Sequence, residues 1–283
     1  MAIGVFDSGV GGLSVHRALV ERFPQADFIY LADQANAPYG GLPGERIVEL
    51  TRAGCGTLFE QGCDLVVLGC NTASAIALRT LQQTWLPGYR KALGRPANIL
   101  GIIVPTIEAA TGLPWTQEPE YPPEKAEALE TIGVFCTPQT AASRVYEIEI
   151  HKRRGDLAVF AEPCPELARL IERGEAQDIL GAVIKSHAEA LARRVGRAPD
   201  RFILGCTHYE LAGDLFRAAL PEGAALIQQP AATADALQAY FASHPEYALG
   251  ADGGRLFLTT GEPGAQNDIV SAFWGGPVSF QAV

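Results

Sequence analysis

The chain has 283 residues, 48% hydrophobic and 19% charged, enough to bury a sizeable core in one or two domains. Its formal net charge of −10 and the lack of a Lys/Arg stripe give no footprint for a polyanion, so no nucleic-acid partner is expected. MAIGVFDSG is not a basic leader ahead of an apolar segment, and no apolar run is long enough to span a bilayer, so a cytoplasmic protein without a membrane partner is expected.

In chain order, IGVFD (3–7) reads as a strand and GGLSVHRALVERF as a helix with apolar residues at helical spacing. DFIYLA (27–32) is a second strand, GERIVELTRAGCGTLFEQG a helix, and DLVVLG (64–69) a third strand followed by the small-residue helical run TASAIALRTL. NILGIIV (98–104), TIGVFC (131–136), DLAVF (156–160), RFILG (201–205), AALIQ (224–228) and RLFLT (255–259) complete the strands, with helices over IKSHAEALARRV and TADALQAYFASH. This alternation predicts an α/β protein with parallel sheets covered by helices. LPWTQEPEYPPEKAEA (113–128) interrupts it with four prolines and four acids and reads as a solvated loop.

Six cysteines, at 55, 63, 70, 136, 164 and 206, are too sparse for a disulfide scaffold and form no C-x-x-C pair, so thiols and no metal site are expected. A free cysteine is usually a small buried hydrophobe, and Cys55, Cys63 and Cys136 fit that description. Cys70 and Cys206 do not. Each ends an apolar run and opens a turn, in LGCNTAS (68–74) and LGCTHYE (204–210), at the carboxyl end of a parallel strand where ligands bind. Unpaired N–H groups at such a position stabilise a thiolate and bring its pKa to roughly 3.5–7.5.

Two such units facing one another place two cysteines across one cleft, which narrows the chemistry. A cysteine hydrolase could pair Cys206 with His208 but leaves Cys70 idle. A phosphatase loop needs Cys-x5-Arg, and Ile76 stands at that spacing from Cys70. A redox dithiol usually presents C-x-x-C, and a catalytically silent amino-acid sensor would not need intact thiols. A two-base racemase uses both cysteines, one thiolate removing the α-proton of an amino acid while the other thiol protonates the opposite face. A pyridoxal route requires a Schiff-base lysine, and none of Lys91, Lys125, Lys152 and Lys185 ends a strand in a glycine- or hydroxyl-rich turn, so no cofactor is expected.

FDSGVGGLSV (6–15), the PYG of ADQANAPYG (32–40), LGCNTAS, VPTIEAA (104–110), LGCTHYE and FLTTGEP (257–263), in this order, make the chain resemble glutamate racemase of the aspartate/glutamate racemase superfamily. The resemblance implies interconversion of L- and D-glutamate, supply of D-glutamate for peptidoglycan, and no metal or organic cofactor. It also implies two similar α/β domains related by a pseudo-twofold, residues 1–101 plus 211–283 and residues 102–210, with the site in the cleft between them. Cys206 would act on L-glutamate and Cys70 on D-glutamate, with Asp7 near Cys70 and the substrate ammonium and His208 as the polar helper of Cys206. Ser8, Tyr39, Gly40, Asn71, Thr72 and Thr207 would hold the ammonium and carboxylates. Thr137 and Thr140 match a Thr-x-x-Thr near a substrate carboxylate, and Glu172 matches an acid near the site. Monomer and homodimer both stay open.

The same residues have plainer readings. SGVGG is a tight turn that Asp7 and Ser8 can cap, Tyr39 a turn aromatic, Thr137 an N-cap for a helix starting near Gln139, and Glu172 an exposed helical acid. His16, His151, His187 and His244 have no second ligand at metal spacing and belong to packing or the surface. Three departures from the family pattern bear on pocket detail: Leu167, Ala168 and Arg169 after Cys-Pro, Glu210 in place of proline, and Gln228–Gln229 in place of Asp-Ser.

Overall fold

The computed structural model describes residues 1–117, 130–247, 249, 252–265 and 267–283. Most of the segment expected as a solvated loop, 118–128, lies outside the described residues. Its first part is pinned by Arg153, whose guanidinium donates to the carbonyls of Pro114 and Gln117 at 2.5 and 2.9 Å.

The strands are β1 (Ala2–Asp7), β2 (Asp27–Ala32), β3 (Cys63–Leu68), β4 (Asn98–Gly101), β5 (Glu130–Cys136), β6 (Leu157–Pro163), β7 (Arg201–Gly205), β8 (Ala225–Ile227), β9 (Arg255–Thr259) and β10 (Gln281–Ala282). They form two sheets, ordered β10-β9-β2-β1-β3-β4 and β6-β5-β7-β8, with every pairing parallel. Unbroken apolar runs become strands here because a parallel strand is covered on both faces by its crossover helices. In β1, Ile3 and Val5 enter one core with Leu13 and Leu19, while Phe6 enters another with Leu58, Phe59 and Leu68. The second sheet is covered twice as well, by Ile107 and Tyr146 on one face and by Leu191 and Phe216 on the other. The helix Gly44–Glu60 needs glycine at Gly54, since a Cβ there would overlap the Phe6 ring.

Three elements differ from the sequence reading. NILGIIV ends as a strand at Gly101, and Ile103–Thr111 is helical. Pro105 falls in the first turn of that helix, where a missing N–H costs no intrahelical bond, and Ile103 and Ile107 fill the core of the second sheet. The return to the first sheet comes later than residue 211, because β8 pairs with β7 from Arg201↔Ala225 to Ile203↔Ile227 and covers what would be an open edge. The return starts with the helix Gln229–Ser243, whose Ala234 and Leu237 join the first sheet's core. Finally, β10 adds two residues beside β9, too few to register as an apolar run.

Cys70 follows β3 of the first sheet and Cys206 follows β7 of the second, each at the carboxyl end of its strand. Among the described residues, no helix is long and apolar enough to cross a membrane.

Candidate active site

Cys70 is the N-cap of the short helix Asn71–Ile76, and its sulfur accepts from the Ala73 N–H at 3.4 Å. Ser8 Oγ lies 3.4 Å from the same sulfur. At the end of β1, Asp7 Oδ1 accepts from the Gly9 N–H at 2.8 Å and closes the glycine-rich turn, as the plainer reading expects. Its Oδ2 is buried without a hydrogen bond. Burial pushes the Asp7 carboxyl above the usual range, against a downward pull from the His208 charge and the amides of Gly9 and Gly12.

After β7, His208 Nδ1 lies 3.6 Å from Cys206 Sγ and His208 Nε2 lies 2.6 Å from Glu172 Oε1. Burial opposes a charge on His208, but the hydrogen bonds to Cys206 and Glu172 outweigh it and hold the imidazolium well above its ordinary range. At neutral pH both ring N–H groups therefore donate, one toward the sulfur and one to the carboxylate. Glycine at position 11 lets the β1 turn reach this group, since a Cβ there would stand 2.7 Å from His208 Nδ1 and Thr207 Oγ1.

Cys70 corrects one expectation. Its thiol does not fall into the thiolate range; it is pushed up to about 12, by burial first, then by the Asp7 charge, with Cys206 adding to the push. The Ser8 hydroxyl and the Ala73 amide act in the opposite direction and are outweighed. One capping N–H does not replace the water lost on burial. Cys55, Cys63, Cys136 and Cys164 are also buried, and burial raises each of their thiols.

The remaining candidates divide. Thr72 Oγ1 lies 3.1 Å from Thr137 Oγ1 and 3.5 Å from Thr140 Oγ1, joining the Cys70 helix to the end of β5. Thr137 also caps the helix Pro138–Ser143 by accepting from the Thr140 N–H at 3.2 Å, and Gly40 backs onto it. Thr207 is buried against Gly11. Tyr39 is buried with its hydroxyl donating to Asp33 Oδ2 at 2.6 Å, so its polar end is engaged within its own loop. The Asn71 side chain turns to Gln229 and Tyr146, bonding both. Glu172 is not the exposed acid of the plainer reading: its side chain is 17% exposed, on His208.

The other histidines pack as expected. His16 is enclosed by Phe28, Tyr30, Phe257 and Trp274, and burial lowers its pKa to about 3, so it is neutral. His187 meets Glu162 at 3.0 Å, His244 stacks on Tyr240, and His151 is exposed. Asp33, Thr106, Tyr146 and Gln229 were not named as site residues from the sequence; Asp33 and Thr106 lie within ADQANAPYG and VPTIEAA, and Gln229 stood out as a departure from the family pattern. Among the described residues, no group of three or more His, Cys, Asp or Glu is arranged to hold a metal ion.

The structure thus gives the two thiols unlike partners, one beside an imidazolium and the other beside a hydroxyl and a buried carboxylate. The two sulfurs therefore differ in the charge that faces them. No protein-family model matches the chain. It is 70% identical over 281 residues to the glutamate racemase of Phenylobacterium zucineum (strain HLK1), covering 99% of each chain. It is 71% identical over 282 residues to that of Caulobacter sp. (strain K31), covering 100% of each. Its fold matches the crystal structure of a glutamate racemase from Bacillus anthracis with a TM-score of 0.84 at 27% identity, over 100% of this chain and 97% of that one. The chain belongs to the glutamate racemase family of amino-acid isomerases.

Proposed function

We propose that this protein interconverts L- and D-glutamate without an organic cofactor, with Cys206 and Cys70 as the two bases, in a cleft between residues 1–101 with 229–283 and residues 102–228. The observation that carries this reading is the unlike environment of the two thiols: Cys206 with His208 and Glu172, and Cys70 with Ser8 and Asp7.

With L-glutamate bound, the Cys206 thiolate takes the α-proton and becomes a thiol, and the electron pair left on Cα spreads into the α-carboxylate. Cys70 then delivers its proton to the opposite face, leaving D-glutamate and a Cys70 thiolate. The imidazolium of His208 holds the charge on Cys206 before transfer. The substrate ammonium answers the buried charge of Asp7, and by doing so eases the upward push on the Cys70 thiol. Thr72, Thr137, Thr140 and Thr207 offer hydroxyls to the carboxylates. D-glutamate runs the steps in reverse from the Cys70 thiolate. The product would supply peptidoglycan synthesis in the cytoplasm, where six unpaired cysteines stay reduced.

Circular dichroism of L-glutamate, and separately of D-glutamate, with the dialysed protein and no added cofactor tests this reading. Decay of both signals to zero supports it. An unchanged signal with a Cys206 acyl-enzyme seen by mass spectrometry would make Cys206, His208 and Glu172 a hydrolytic nucleophile, base and orienter instead. Binding with no exchange at the α-carbon would make the cleft a sensor.

A further inference from the structure

Gln229 stands at the point where the chain leaves β8 of the second sheet and enters the helix that returns to the first. It is fully buried, 0% exposed, and its side chain is engaged at both ends. Oε1 accepts from Asn71 Nδ2 at 2.6 Å, and Nε2 donates to Asn71 Oδ1 at 3.0 Å, so the two amides pair face to face. Nε2 also reaches Thr106 Oγ1 at 2.8 Å and the Tyr146 hydroxyl oxygen at 3.0 Å. Thr106 donates its own proton to the Ile102 carbonyl and Tyr146 donates to Asn71 Oδ1, which leaves both oxygens free to accept, and the two protons of Nε2 are shared among the three acceptors. The backbone N–H of Gln229 donates to Glu210 Oε1 at 3.2 Å.

These partners have a common feature. Asn71 directly follows Cys70, Glu210 lies in the turn that follows Cys206, and Thr106 belongs to the helix just after the first crossing between sheets. One residue thus ties both thiol-bearing turns to both crossings. We propose that Gln229 is a positioning residue: it holds the Asn71 side chain and thereby sets the Cys70 turn against the Cys206 turn across the cleft. It touches neither thiol. The inference rests on the reading that both thiols serve one substrate, because only then does their mutual placement matter to turnover.

Removing the amide in Gln229→Ala leaves Asn71 and Tyr146 without their shared partner and frees the Cys70 turn, while the backbone bond to Glu210 survives. Gln229→Glu keeps the acceptor for Asn71 Nδ2 but sets a second carboxyl oxygen against the oxygens of Asn71, Thr106 and Tyr146 in a buried site, so it serves as the more disruptive variant. The test is site-resolved alkylation by iodoacetamide, read by mass spectrometry as the Cys70 to Cys206 ratio, alongside glutamate kinetics and thermal midpoint. The expected result is a ratio that shifts toward Cys70 in Gln229→Ala, and at least as far in Gln229→Glu. With it goes a kcat lowered by about 10- to 100-fold, as misplacement of reacting groups produces, and a KM that moves much less. An unchanged alkylation ratio overturns the inference, as does a rise at both thiols in step with lost thermal stability, which a merely structural residue would cause. The alkylation ratio needs no turnover. If the wild type fails to racemise glutamate, the functional reading falls while the ratio still decides the role of Gln229.

Discussion

His208 Nε2 and Glu172 Oε1 lie 2.6 Å apart, and the opposite ring nitrogen of His208 faces the Cys206 sulfur. The carboxylate therefore acts on the thiol through the imidazolium. Glu172→Gln removes that charge, lowers the His208 pKa and weakens the positive charge that faces the Cys206 sulfur. Turnover of L-glutamate is expected to fall by at least about tenfold, and alkylation of Cys206 at neutral pH to slow.

The same pair has a stability signature. A histidine whose folded pKa is raised contributes stability that is fully present below its unfolded pKa, about 6.5, and is lost as pH rises through the folded value. The thermal midpoint of Glu172→Gln should thus trail the wild type most below about pH 6.5 and approach it at alkaline pH. A constant gap across pH would show that the contact is not ionic.

Asp7 carries the opposite trade. Burial raises its carboxyl pKa, so ionising it costs the folded protein more than the unfolded chain, and stability falls as pH rises through the folded value. Asp7→Asn should be more stable than the wild type at neutral pH, by about 2–4 °C in thermal midpoint for each kcal/mol recovered, with the gap closing in acid. The variant should also lose racemisation. A lower midpoint at neutral pH would mean that the attraction to His208, not burial, governs this carboxylate.

Much of this architecture was legible because parallel strands, buried on both faces, read as continuous apolar runs. The cysteines were legible for a local reason too, each standing where a strand ends and a helical turn begins. Long-range properties were not. The raised thiol of Cys70 depends on burial and on Asp7, neither of which a helix-start motif reports. The pairing of β8 with β7 depends on which sheet edge is open, and the contact between Gln229 and Asn71 joins residues 158 positions apart. Glu172 read as a helical surface acid from its own helix, and only the resemblance pointed it toward the site, where the fold brings it to His208.

Removing either thiol tests the division of labour. Cys70→Ala and Cys206→Ala should each lower racemisation by at least about 10³-fold, since in the proposed scheme each deletes one of two proton carriers. Cys70→Ser and Cys206→Ser should retain only traces, because a hydroxyl is a much weaker acid than a thiol, yet each should still exchange the α-proton on the face served by the remaining cysteine. Full turnover in any of the four variants would contradict the scheme. Proton NMR of the α-position in D2O reads both properties.

Gly54→Ala probes packing away from the cleft. The added methyl overlaps the Phe6 ring, and overpacking of this kind costs about 1–3 kcal/mol. The urea midpoint should fall while the kcat of the folded protein stays near that of the wild type. An unchanged midpoint would mean that the helix Gly44–Glu60 can shift on its sheet.

The most direct test of two thiols on opposite faces is isotopic. L-glutamate is converted by the wild type in D2O, and the early L and D pools are separated and examined by mass spectrometry. Deuterium in the newly formed D-glutamate, with the remaining L-glutamate still unlabelled, is the predicted result, because the proton removed by Cys206 is not the one that Cys70 delivers. Return of the original proton to the D-glutamate, or equal early labelling of both pools, would contradict the two-base account.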